Sequence, residues 1–317
     1  MVEKIKDGAS VPSLARTIVA LVKTMRPRQW TKNIFVFAAI VFDRQLPSPR
    51  ALFSQGILTH TSELLNTLLA FVLFCLLSSA VYIINDITDL EADRRHPQKR
   101  NRPLASGQLS IPVAAGTAAI ILVVTLPVAF VLSPAFFAVA LGYFLLNLAY
   151  SARLKHIPLI DVMVIAAGFV LRVAAGVTVI VVERFSPWLY VTMTLLALYL
   201  GFGKRRAELA TLAENANSHR RVLEGYNIPL LDQLITIVSS TTIITYSLYT
   251  FSAPNVPENH TMMLTIPFVI YAIFRYLYLI QIKQSGGEPE ELLLSDRPLQ
   301  ISIALWVAAV LVIFYLS

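Results

Sequence analysis

Residues 62–84, SELLNTLLAFVLFCLLSSAVYII, run without a break into residues 85–100, NDITDLEADRRHPQKR. The first stretch is long and apolar enough to cross a bilayer as an α-helix, which takes about 20 mostly apolar residues because lipid offers no partner to a backbone amide. The second is dense with carboxylates and then with cations, so a membrane boundary falls near residue 85. Working outward, apolar runs of the same kind recur at 30–46, 111–132, 134–150, 158–182, 186–203, 231–251, 262–282 and 298–316. Together these predict an all-α polytopic membrane protein with nine spans. Pro112, Pro134, Pro158, Pro187 and Pro298 stand at or beside span starts, where a missing N–H costs nothing. Pro127 and Pro267 fall inside spans and are expected to kink them.

Composition agrees with that reading. Of 317 residues, 56% are hydrophobic and 14% charged, against roughly 25% charged in an ordinary soluble domain; this excludes a soluble enzyme and a disordered tail. The single cysteine, Cys75, excludes an internal disulfide and reads as a small buried hydrophobe. The net charge of +7 does not point to nucleic acid, because its distribution follows the predicted topology. Of the 26 Lys and Arg residues, 21 fall in the N-terminal segment and the loops after the second, fourth, sixth and eighth spans; only Arg44, Arg50 and Arg184 fall on the other side. By the positive-inside rule the N-terminus and the charged loops are expected to be cytoplasmic; the membrane is expected to be a plasma membrane of bacterial type. Residues 1–29 are polar and basic, without a cleavable signal, and are expected to form a cytoplasmic segment with an interfacial helix. Residues 30–317 are expected to form one transmembrane domain.

The dense chemistry lies on the predicted cytoplasmic face. If the helix continues past residue 84, Asn85, Asp89 and Asp93 follow at i, i+4 and i+8 with Asp86 beside them, so four oxygen-bearing side chains share about 100° of helix surface. Three carboxylates so placed repel one another. A hard divalent cation relieves that repulsion, and carboxylate and amide oxygens are ligands that Mg²⁺ takes when it also holds phosphates. Directly after come Arg94, Arg95, His96, Lys99, Arg100 and Arg102, whose Arg and Lys are suited to the remaining oxygens of a metal-bound polyphosphate, while His96, before Pro97, reads as structural. A second cluster follows the fourth span: Tyr150, Ser151, Arg153 and Lys155, then Asp161 inside the fifth. Asp161, Gly168 and Arg172 share one face of that span, with Arg172 roughly 16 Å along the helix from Asp161. An arginine at that depth marks a polar interior or a water-filled cavity. Arg26, Trp30 and Lys32 gather at the same membrane boundary, and Lys204, Arg205, Arg206 and Glu208 are expected in the loop after the sixth span. Gly168 and Gly176 supply small-residue surfaces that pack helices within one bundle or between the subunits of a homo-oligomer, and the sequence leaves both open.

These residues carry a resemblance. NDxxDxxxD at 85–93, followed by a basic loop ending NRPLASG at 101–107, resembles the first aspartate-rich motif of the UbiA superfamily of intramembrane prenyltransferases. RPRQWTKN at 26–33, YSARLKHIPLID at 150–161, GFVLRVAAG at 168–176 and GFGKRRAEL at 201–209 resemble its decaprenyl-phosphate phosphoribosyltransferase branch. The resemblance implies a nine-helix bundle around a cavity open to lipid, capped by cytoplasmic loops. Aromatic prenyltransferases commonly pair two aspartates four apart in a second motif, whereas here Asp161 is followed by Ile165, which weakens the case for a second metal and a prenyl diphosphate donor. The branch implies 5-phosphoribosyl 1-diphosphate as donor and a polyprenyl phosphate as acceptor, in cell-envelope synthesis of a lipid-linked arabinose donor. It implies Mg²⁺ on Asn85, Asp86, Asp89 and Asp93, with Asp89, Asp93 and Asp161 catalytic. It assigns substrate binding to Lys32, Arg94, Lys99, Arg102, Tyr150, Lys155 and Arg172. Two rivals are a UbiA-type transfer of a prenyl group to an aromatic or lipid acceptor, and a transporter of an anionic lipid or metabolite. Against the transporter, the sequence has no clear repeat of broken helices.

Overall fold

The computed structural model describes residues 14–42, 61–97, 99–181, 186–214, 221–283 and 289–315. Among them there are helices and turns and no strand. Helix α1 (Leu14–Met25) leads into a 3-10 stretch, Pro27–Phe37, and the short α2 (Ala38–Phe42). There follow α3 (Thr61–Thr88), α4 (Leu90–Arg95), α5 (Ile111–Leu132), α6 (Pro134–Ala152), α7 (Ile160–Val177), α8 (Pro187–Glu214) and α9 (Ile228–Ser252). The chain ends in α10 (Ile266–Gln281), α11 (Pro289–Ser295) and α12 (Arg297–Tyr315).

Short connections make consecutive long helices neighbours: α5 packs on α3, α6 on α5, α7 on α6, α8 on α7, α9 on α8, and α10 on both α9 and α12. The 3-10 stretch Pro27–Phe37 wedges between α3 and α7. Beyond it, Phe42 meets Tyr249 edge to face at 5.9 Å and Phe314 at 6.3 Å, so the start of the chain is tied to α9 and to α12 at its end. The outer face of α5 exposes Ile120, Val123, Val124, Phe130 and Val131 by more than half. Such a surface is unfavourable in water and natural in lipid.

Seven helical segments among the described residues are long and apolar enough to span a membrane, beginning at Ser62, Ile111, Pro134, Ile160, Ile228, Thr261 and Arg297. These correspond to seven of the nine expected spans, and the count of nine is not reached by that measure. The expected span at 186–203 lies in α8, where Tyr, Thr and Gly dilute the apolar character and the helix runs on to Glu214. The loop expected at Lys204–Glu208 is therefore helical. The span expected at 30–46 begins as 3-10 helix rather than α-helix, and residues beyond Phe42 lie outside the described residues, as do Arg44, Arg50 and Arg184. Pro267 kinks nothing: it sits in the first turn of α10, after the 3-10 turn Thr261–Thr265.

The wedge also needs a glycine. A Cβ on Gly176 of α7 would stand 2.0 Å from the carbonyl oxygen of Val36, so the two backbones approach to a distance that only glycine allows.

Candidate active site

One end of the bundle gathers the acidic face. Helix α3 loses α geometry at Asp89 (φ −91°, ψ 6°), yet the i to i−4 bonds continue: Asp89 N–H donates to Asn85 O at 2.9 Å and Asp93 N–H to Asp89 O at 2.8 Å. Asn85, Asp89 and Asp93 thus stay on one side across the junction of α3 and α4, as the spacing predicts.

Each member meets a partner from elsewhere in the chain. Arg102 Nη1 lies between two carboxylates, 2.5 Å from Asp93 Oδ2 and 3.3 Å from Asp86 Oδ1. Arg26 also donates to Asp86 Oδ1. Asp86 and Asp93 are buried, 3% exposed each, so two guanidinium groups compensate charge withdrawn from water. Asp89 is more open and accepts from Lys155 Nζ at 2.9 Å, while Asn85 Oδ1 accepts from the Ser151 hydroxyl. The acidic face is thereby met by cations of the N-terminal stretch, the α4–α5 loop and the α6–α7 loop.

Behind this face Asp161 is fully buried at the start of α7. Its Oδ2 accepts from Arg205 Nε at 2.6 Å and its Oδ1 from Tyr226 Oη at 2.7 Å. Arg205, 1% exposed, also donates to Glu208 at 2.6 Å. Burial alone would depress the Arg205 pKa, but Glu208 and Asp161 outweigh it and hold the guanidinium charged. Burial, and then the hydrogen bond to Asp161, push the Tyr226 phenol above its ordinary range, so it remains a donor. Tyr226 Oη in turn accepts from Leu159 N–H at 2.6 Å. Leu159 has φ +67°, a conformation that costs a side-chain-bearing residue about 1–3 kcal/mol and needs surroundings that hold it.

Deeper in the bundle Arg172 is 6% exposed, and each of its three nitrogens makes a hydrogen bond. It donates to Asn33 Oδ1, Gly168 O and Tyr143 Oη, each at 2.8 Å, and its guanidinium lies 4.9 Å from the Tyr143 ring centroid. Asn33 donates onward to Ser78 Oγ at 3.3 Å, so Arg172 ties the wedge to α6 and α7 and, through Asn33, to α3.

The structure therefore brings together Asn85, Asp86, Asp89, Asp93, Arg102 and Lys155. Lys32 lies half-buried on the wedge between Arg26 and Asn33, and Tyr150 lies half-buried at the end of α6. Arg94 does not join them: it pairs with Glu91 at 2.8 Å on the exposed side of α4. Lys99 lies in the exposed 3-10 turn Lys99–Asn101. Asp161 and Arg172 spend their charge on internal partners. Sequence reasoning placed Arg26 and Ser151 in its boundary clusters without giving them a site role, and it missed Tyr226. Arg26 carries a local signal, a cation directly before Pro27 at the predicted membrane boundary, whereas the pairings of Ser151 and Tyr226 have no local signature.

As a donor set, three carboxylates and an amide oxygen are hard ligands suited to Mg²⁺. Among the described residues no three acidic, histidine or cysteine side chains converge at ligand distance. Arg26, Arg102 and Lys155 instead place positive charge on the carboxylates, so these oxygens are held by the protein's own cations, and only the chemistry of the donor set suits a hard divalent ion.

A helical membrane protein whose one end sets a buried acidic face against converging cations is the class of molecule defined so far. The family model described as UbiA prenyltransferase matches residues 51–295, and the chain belongs to that family. It is 34% identical to the decaprenyl-phosphate phosphoribosyltransferase of Mycobacterium tuberculosis, over 93% of this chain and 94% of that one. The enzyme of the same name from Mycolicibacterium smegmatis is 33% identical, covering 100% of this chain and 98% of its own. Among solved structures, a UbiA homologue from Archaeoglobus fulgidus bound to GPP and Mg²⁺ shares the fold. Its TM-score is 0.65 at 20% identity, over 93% of this chain and 99% of that one.

Proposed function

We propose that this protein transfers the 5-phosphoribosyl group from 5-phosphoribosyl 1-diphosphate to a polyprenyl phosphate and releases diphosphate. The likeness to two decaprenyl-phosphate phosphoribosyltransferases over nearly the whole chain supports the branch. The observation that carries the chemistry is the asymmetry of the two clusters: one acidic face open to a ligand through Asp89, and one aspartate, Asp161, whose oxygens are both taken by Arg205 and Tyr226. That leaves one acidic face for a donor diphosphate, and the phosphoribosyl-transferring relatives favour a phosphoribosyl donor there.

In this reading Asn85, Asp86, Asp89 and Asp93 would hold Mg²⁺, which when bound would supply positive charge to the diphosphate. Arg26, Arg102 and Lys155, already at the carboxylates, donate to donor phosphate oxygens, and Arg supplies a forked pair of N–H groups for the purpose. Lys32 and Tyr150 border the same end and are assigned to the acceptor phosphate. The bond from C1 of the ribose to the diphosphate oxygen breaks, and its electron pair leaves with diphosphate. An anionic oxygen of the lipid phosphate forms the new bond to C1. No proton moves, so no strong general base is needed. Asp161 and Arg172 position α7 rather than touch the reacting atoms. Residues 30–317 act as one catalytic domain, with this end of the bundle in the cytoplasm, where the phosphorylated donor is dissolved, and the acceptor's tail in the lipid.

The test is incubation of purified protein with Mg²⁺, decaprenyl phosphate and radiolabelled 5-phosphoribosyl 1-diphosphate. Label is expected in the organic phase. Consumption of a prenyl diphosphate with an aromatic acceptor, and no transfer of label, would move the protein to the prenyl-transferring branch.

A further inference from the structure

We infer that Tyr226 is a positioning residue that sets the reach of Lys155 toward the acidic face. The inference rests on the phosphate-binding role assigned above to Lys155.

The α6–α7 connection carries Lys155 in the 3-10 turn Leu154–His156 and then passes through Ile157, Pro158 and Leu159 into α7. Its far end is clamped. Tyr226 Oη accepts the Leu159 N–H at 2.6 Å and donates to Asp161 Oδ1 at 2.7 Å, so one hydroxyl holds both the positive-φ residue and the first turn of the helix that follows. Gly225 lies directly on Pro158: a Cβ there would stand 2.3 Å from Pro158 Cγ. The clamp is itself anchored, because Val222, Leu223 and Tyr226 are buried in one core cluster with Val162, Tyr199 and Phe202. Four residues before Leu159, Lys155 reaches Asp89 Oδ1 at 2.9 Å. A continuous series of contacts thus runs from the core through residues 222–226 and Leu159 to the cation at the acidic face. Without the phenol oxygen, the Leu159 N–H loses its acceptor, and the turn that aims Lys155 loses its hold on α7.

Tyr226→Phe removes that oxygen and keeps the ring. We expect it to raise the KM for 5-phosphoribosyl 1-diphosphate about five- to tenfold with kcat within about twofold, the pattern of lost ground-state binding. The double variant Tyr226→Phe/Lys155→Ala is expected to bind no worse than Lys155→Ala alone, since one effect acts through the other. A readout independent of turnover is the rate at which acetic anhydride acetylates Lys155, measured by mass spectrometry. It should rise several-fold in Tyr226→Phe, because Lys155 spends less time on Asp89. Gly225→Ala displaces the same clamp without touching the phenol and should repeat both changes, which covers a Tyr226 variant that fails to fold. Unchanged Lys155 labelling in the folded variants, or multiplicative effects on KM, would overturn the inference. Wild-type protein that transfers no label while Lys155 labelling still rises in the variants would fault the functional reading and leave the clamp standing.

Discussion

Arg205 and Asp161 form an ion pair at 2.6 Å in which the side chains are 1% and 0% exposed. Two charges removed this far from water are held only by each other and by the neighbours that complete their hydrogen bonds, here Glu208 and Tyr226.

Arg205→Ala leaves the Asp161 carboxylate buried opposite a cavity. A loss of about 3–5 kcal/mol of stability is expected, the cost of breaking a buried pair from one side. Thermal unfolding in detergent measures it. A shift no larger than that of a surface substitution would show that the pair is not closed to solvent.

At the acidic face the expected effects fall on activity. Asp89→Ala and Asp93→Ala should each reduce phosphoribosyl transfer below detection while the protein still elutes as a folded species. Asp89 is the safer of the two structurally, because it is partly exposed and pairs with Lys155, whereas Asp93 is buried against Arg102. Near-normal turnover in both variants would sink the assignment of these oxygens to the donor.

A chelator should abolish transfer, and added Mg²⁺ should restore it, since three carboxylates facing a diphosphate repel it without an intervening cation. Activity that persists in excess EDTA would mean that Arg26, Arg102 and Lys155 suffice to hold the donor.

Gly176→Ala should damage the fold rather than the chemistry. Its Cβ would meet backbone, the Val36 carbonyl, which cannot swing aside as a side chain would. Overpacking of this kind costs about 1–3 kcal/mol, or displaces the wedge that carries Asn33 toward Arg172. A melting curve identical to wild type would rule out the close approach of the two backbones.

Asp296 supplies a pH dependence. Its hydrogen bonds from Arg275, the closest at 2.8 Å, hold the carboxyl below its ordinary value of 3.8. A group with a depressed folded pKa adds stability above its unfolded pKa and loses it as pH falls through the folded one. The difference in melting temperature between wild type and Asp296→Asn should therefore be full at pH 7 and shrink below about pH 4. A difference that stays constant with pH would mean the pair contributes through shape alone.

The amino-acid sequence by itself determined the solvent and much of the local order. Runs of apolar residues need no partner to declare a bilayer, because the demand that every amide be bonded inside lipid acts on each segment alone. The acidic face was legible for the same reason: Asn85, Asp89 and Asp93 repeat with the helical period, and that period survives the break at Asp89. Tertiary structure alone decided which charges meet. Arg26 finds Asp86 across 60 positions, Lys155 finds Asp89 across 66, and Tyr226 finds Asp161 across 65. These pairings follow from which helices stand side by side, so Arg94, next to the motif in the chain, turns to Glu91 while Arg26, far from it, reaches the site. The 3-10 wedge at Pro27–Phe37 was hidden for a related reason. Residues 30–37 read as the start of an apolar span, and they fold as 3-10 helix with the Val36 carbonyl lying against Gly176 on a helix more than a hundred residues later.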